Sequence, residues 1–191
     1  MSGKSSTING LEVLEFVAPK RDPKNQEVLI FSLNRDMVRM QKDMLRSTGV
    51  RKISYAHNLD DFKVLIYTRS FGTILINEDV NLDPEKMIAM IRDYKQSVDP
   101  FAQVIFITST CTEALVKLTI RTGYDSILRL PLSKARLWKT IEQICQTERN
   151  FVRIGQYFGP DRRKDKAQRV GAAEERRRTE LQNGNRLNRT G

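Results

Sequence analysis

The sequence holds one histidine, two cysteines and no uninterrupted apolar run long enough to cross a bilayer. Each scarcity closes off a class of function. A lone His57 supplies no histidine cluster for a metal, and Cys111 and Cys145 lie far apart with no Cys-x-x-Cys pair. They read as reduced thiols of a cytoplasmic protein, not as a disulfide framework. The uncharged stretch 100–112 is shorter than the ~20 residues a membrane helix needs, so no membrane span is expected. Glu12 and Glu15 interrupt the apolar patch Leu11–Val17, which excludes it as the core of a signal peptide. There is no Gly-rich phosphate loop and no nucleophile set beside a base, so the chain is not expected to be an enzyme. No catalytic residue, cofactor or metal is expected.

Positive charge is abundant. The 33 Lys and Arg outnumber 23 Asp and Glu, for a net charge of +10, which favours an acidic partner. The excess is unevenly placed. From residue 151 onward eleven cations face five acids, so six of the ten net charges lie there. That stretch has almost no apolar periodicity and is crowded with Arg, Lys, Asn, Gln and Gly, a composition that buries too little surface to offset the entropy of ordering. Residues 1–26 combine Ser, Gly, Lys and Asp-Pro with one small apolar patch and read as a flexible arm. The expected organisation is an arm over 1–26, a domain over 27–150 and a basic, disordered tail over 151–191.

Within the domain, short apolar runs alternate with one-sided helical patterns, the mark of parallel strands covered on both faces. Val28–Phe31, Val50–Ala56, Thr73–Ile76, Val104–Ile107 and Ile127–Leu128 read as strands. Helices are expected to start near Asn34, Asn58, Asp83, Thr112 and Ser133, each able to accept free backbone N–H groups. Gly49 and Gly123 stop two of them. In such an open sheet ligands bind at the carboxyl ends of the strands. Here those ends are mostly neutral: Ser32-Leu33, Asn77, Thr108 and Arg129-Leu130-Pro131.

The order and spacing over residues 27–148, with Gly49, Thr108, Gly123 and Pro131 as anchors, resemble the CheY-like receiver domain of bacterial response regulators. The resemblance implies a flavodoxin-like (βα)5 fold, doubly wound around a five-stranded parallel sheet. Active receivers carry an acidic pair after strand one, a phospho-accepting Asp after strand three, a hydroxyl after strand four and a Lys before the final Pro. By spacing, the pair falls on Ser32 and Leu33, the acceptor on Asn77, the hydroxyl on Thr108 and the Lys on Leu130. Only the hydroxyl is retained. Mg²⁺ prefers anionic oxygens, the transferring phosphoryl group needs cations, and an amide is not a carboxylate nucleophile. The resemblance therefore implies a degenerate, non-phosphorylatable pseudo-receiver that acts through protein–protein contacts with a signalling partner.

Several residues keep two readings. Glu78, Asp79 and Asp83 offer an alternative cation site or form a solvated loop and a helix cap. Thr108 caps its local backbone, and Ile127 stands where receivers place a switching aromatic. Trp138 either anchors a partner or packs a helix edge on the sheet, while His57 is expected in a surface loop. In the tail, the segment Phe158–Arg163 is similar to extensions of some alphaproteobacterial stand-alone receiver-like proteins. Arg162, Arg163, Arg176, Arg177 and Arg178 could hold the phosphates of a nucleotide, such as a cyclic dinucleotide, or of a nucleic acid; the other reading is a solvated tail.

Overall fold

Alternating strands and helices fill residues 28–146 in the computed structural model of the chain, which describes residues 4–8, 11–80 and 82–162. The elements in chain order are β1 (Lys4–Ile8), β2 (Leu11–Val17), β3 (Val28–Phe31), α1 (Arg35–Arg46), β4 (Ile53–Ala56), α2 (Leu59–Thr68) and β5 (Thr73–Asn77). After a single 3-10 turn at Glu78–Val80 come α3 (Pro84–Arg92), β6 (Gln103–Thr108), α4 (Glu113–Thr122), β7 (Ser126–Arg129), α5 (Lys134–Gln146), β8 (Asn150–Ile154) and β9 (Tyr157–Pro160). Residues up to Pro160 form one compact unit, and Asp161 begins a second.

All five helices start where the sequence places them. Side chains of Asn34, Asn58, Asp83, Thr112 and Ser133 accept N–H groups of the first turn. Gly123 ends α4 with a φ of 111°, a left-handed conformation that a Cβ would strain. The strands pair in parallel in the order β4-β3-β5-β6-β7. This is a flavodoxin-like, doubly wound α/β fold. β3, β5 and β6 are buried at every position because helices cover both faces. Leu29, Phe31, Ile74, Ile76 and Phe106 pack toward α2 and α3 on one face. Val28, Ile30, Leu75, Ile105 and Ile107 pack toward α1 and α5 on the other.

The expected boundaries at residues 26 and 151 move outward. Part of the presumed arm and the start of the presumed tail make a second, antiparallel sheet, β1-β2-β8-β9, in which Val13 pairs with Ile154 and Val17 with Asn150. Neither segment has enough apolar residues to form a core alone. Together they bring Phe16, Phe151 and Phe158 around Phe101, with ring centroids 5.0–6.3 Å apart. Tyr94 lies just beyond α3 and is 43% exposed.

A buried ion network fastens this sheet to the first. Asp125, just before β7, bonds Arg92 at 3.0 Å and Arg149 at 2.7 Å. Arg92 also donates to the carbonyls of Pro100, Ala102 and Gly123. Both guanidinium groups lie about 5 Å from the Phe151 ring centre. Burial lowers the Arg92 pKa to about 10, with Asp125 opposing the shift, so the side chain stays charged at neutral pH.

Candidate functional site

β3, β5 and β6 are parallel neighbours, so their carboxyl ends lie side by side and bring Ser32, Asn77 and Thr108 to one mouth. Asn77 is 3% exposed and faces inward. Its Nδ2 donates to the Phe31 carbonyl at 3.0 Å and to Gln41 Oε1 at 3.2 Å, while Gln41 Nε2 donates back to Asn77 Oδ1 at 2.6 Å. Two neutral amides thus satisfy each other inside the domain. Gln41 is fully buried on the inner stripe of α1 beside Val38 and Leu45. Sequence reasoning passed over it; the available signal was a polar residue at an apolar helical position.

The hydroxyl corner is also filled from within. Glu78 Oε2 accepts from Thr108 Oγ1 at 2.6 Å, from Ser109 N at 2.9 Å and from Ser109 Oγ at 3.0 Å. Partial burial pushes the Glu78 carboxyl up, but these bonds together outweigh it and hold it below the usual carboxylate range. Thr108 Oγ1 also accepts from Thr110 N at 3.0 Å, the local capping expected of it. Asp79 closes the neighbouring corner, accepting from Ser32 Oγ at 2.5 Å and from Asn34 N at 2.8 Å.

The remaining sequence-derived positions fall as follows. Leu33 is 49% exposed. Leu130 rests against the core on the α1 and α5 side, and its N–H donates to the Thr108 carbonyl at 2.8 Å. Asp83 caps α3. Among the described residues no group of three or more His, Cys, Asp or Glu side chains could hold a metal ion, so Glu78, Asp79 and Asp83 do not gather into one cation site. Trp138 is half-buried against the same core as Leu130. His57 lies in the loop between β4 and α2 and is half-buried there, its Nδ1 3.1 Å from the Ser32 carbonyl. Cys111 is exposed, Cys145 buried, and both are free. Arg162 belongs to the second unit, and Arg163, Arg176, Arg177 and Arg178 lie outside the described residues. No described helix is long and apolar enough to cross a membrane.

No family model matches the sequence, and neither does any curated protein. Solved structures do match its fold. The receiver domain of a sensor histidine kinase from Pseudomonas aeruginosa superposes with a TM-score of 0.55 at 18% identity, covering 64% of this chain and 98% of the other. The receiver domain of a DNA-binding response regulator from Colwellia psychrerythraea gives 0.56 at 22%, covering 63% and 98%. A putative pilus assembly protein from Burkholderia thailandensis gives 0.53 at 15%, covering 63% and 98%. The described chain therefore has the fold of CheY-like response-regulator receiver domains, extended by a second sheet built from residues on either side of it.

Proposed function

We propose that this protein is a pseudo-receiver: a signalling module that keeps the receiver fold, does not accept a phosphoryl group and acts by binding another signalling protein. The observation that carries the reading is the Asn77–Gln41 amide pair. In the place of a solvent-facing carboxylate stands a buried, fully bonded, neutral side chain, which has neither the charge to help bind Mg²⁺ nor the nucleophilicity to attack phosphorus. Glu78 supports it. This carboxylate already occupies the Thr108–Ser109 donors, so an incoming phosphoryl oxygen would have to displace an internal anion. With Leu130 in the lysine position, no cation at that position offsets the charge of a transferring phosphoryl group.

The test is to add Mg²⁺ and beryllofluoride to the isotopically labelled chain and to incubate a parallel sample with acetyl phosphate. Unchanged amide shifts around Asn77 and Thr108, with no mass increase, are expected. A phosphorylated residue, or saturable shifts at that mouth, would overturn the proposal.

A further inference from the structure

A row of positive charge runs along α1 from the end next to the strand tips. Arg35, Arg39, Lys42 and Arg46 recur at intervals of four, three and four residues. With 3.6 residues per turn they fall within an arc of about 60°, in a row about 16 Å long. Asp36 and Asp43 are turned about 80° away from the centre of that row. Val38, Gln41 and Leu45 bury the face that meets the sheet. Lys42 lies over the ring of Tyr55, 5.3 Å from its centre, which sets the row beside β4.

β4 is an edge strand, with no further strand beside it among the described residues. Tyr55 is 48% exposed there, buttressed by His57 at 5.1 Å between ring centres. Arg51, in the loop that leads into β4, adds an exposed cation at the lower end. None of these five cations forms an ion pair among the described residues, although Arg21, Arg69, Arg92, Lys117, Arg121 and Arg149 all do. Five cations gathered along one edge with no ion pair among the described residues give that strip a positive potential.

We propose that the α1–β4 edge binds single-stranded nucleic acid, with Arg35, Arg39, Lys42 and Arg46 along the phosphates and Tyr55 stacking on a base. The even spacing of the cations suits a polymer whose charge repeats regularly, and the exposed ring beside them gives the bases a stacking surface, the pairing of features that sequence-tolerant binders use. An acidic peptide would use the cations and leave the ring without a role. The proposal is independent of whether the strand tips accept a phosphoryl group.

The experiment titrates the full-length chain into a fluorescein-labelled oligothymidylate and follows anisotropy over a range of salt. Simultaneous Arg35→Glu, Arg39→Glu and Arg46→Glu changes, all at exposed positions, should weaken binding by at least about tenfold and flatten the slope of log affinity against log salt by about 2, at about 0.7 for each phosphate no longer neutralised. Tyr55→Ala should lose affinity severalfold with the slope retained, and Tyr55→Phe should restore it. Lys117→Glu, on α4 and already paired with Glu113, should bind like the parent. A thermal melt confirms that each variant is folded, and Gln replacing Glu at the three arginines provides a milder second set. No binding by the parent chain would overturn the proposal. So would unchanged affinity and slope in the triple variant, which would move the contact to the arginines after residue 160, or an equal loss in Lys117→Glu.

Discussion

The two ends of the parallel sheet handle buried polarity in opposite ways. At the end where β6 and β7 begin, the Asp125 side chain is only 5% exposed and is held between two guanidinium groups. At the end where β3, β5 and β6 finish, the buried position that a receiver would give to a carboxylate is an amide, closed by a second amide from α1. A buried charge persists when counter-charges and hydrogen bonds surround it, and otherwise the position is neutral. The lower end keeps its charge for attachment of the second sheet. At the upper end the buried position at the tip of β5 is neutral, and the carboxylates of Glu78 and Asp79 stand at the rim.

The largest effect should come from breaking the charged end. Asp125→Ala leaves two buried arginines without their carboxylate and should cost about 3–5 kcal/mol, read from denaturant unfolding. If the loss is below ~1 kcal/mol, the network is not what ties β8 to the first sheet. The next effect sharpens the contrast by moving a charge to the neutral end. Asn77→Asp sets a carboxylate against the Phe31 carbonyl and removes the amide donor, with an expected cost of about 1–3 kcal/mol and no labelling by acetyl phosphate. Labelling would show that the acceptor residue alone had disabled the site.

Removing the partner amide should cost a similar or smaller amount. Gln41→Ala strands Asn77 Oδ1 and should lose about 1–3 kcal/mol, while Gln41→Leu combined with Asn77→Leu should recover part of it, because an apolar pair leaves no buried group unbonded. A double variant worse than both singles would contradict the pairing. The smallest effect is pH-dependent. The folded-state pKa of Glu78 lies below its ordinary value of 4.5, so its bonds stabilise the fold fully above that value and lose their effect as pH falls through the lowered one. Glu78→Gln should therefore melt below the parent at neutral pH, and the gap should close in acid.

Much of the sheet was legible from short apolar runs, since a strand covered on both faces is apolar at successive positions, and Val28–Phe31 and Val104–Ile107 are short, carry β-branched residues and alternate with one-sided helical patterns. The caps were equally plain, because an Asn, Asp, Ser or Thr ahead of a one-sided pattern has a single local role. Residues 11–17 and 150–160 were not legible. Each is half of a sheet whose apolar face exists only when both are present, and some 130 residues of chain separate them.

The sequence by itself determined the parallel α/β domain, its helix starts, the neutral residues Ser32, Leu33, Asn77 and Leu130 near the strand tips, and the concentration of positive charge after residue 150. These follow from periodicity, local hydrogen bonding and residue type, which neighbours in the chain specify. Only the tertiary structure decided that Gln41 seals Asn77, that Glu78 rather than solvent meets Thr108, that Asp125 gathers two arginines, and that four cations of α1 stand beside Tyr55 on an open edge. Each joins residues from different elements, and such contacts depend on how the elements pack and not on the residues next to them in the chain.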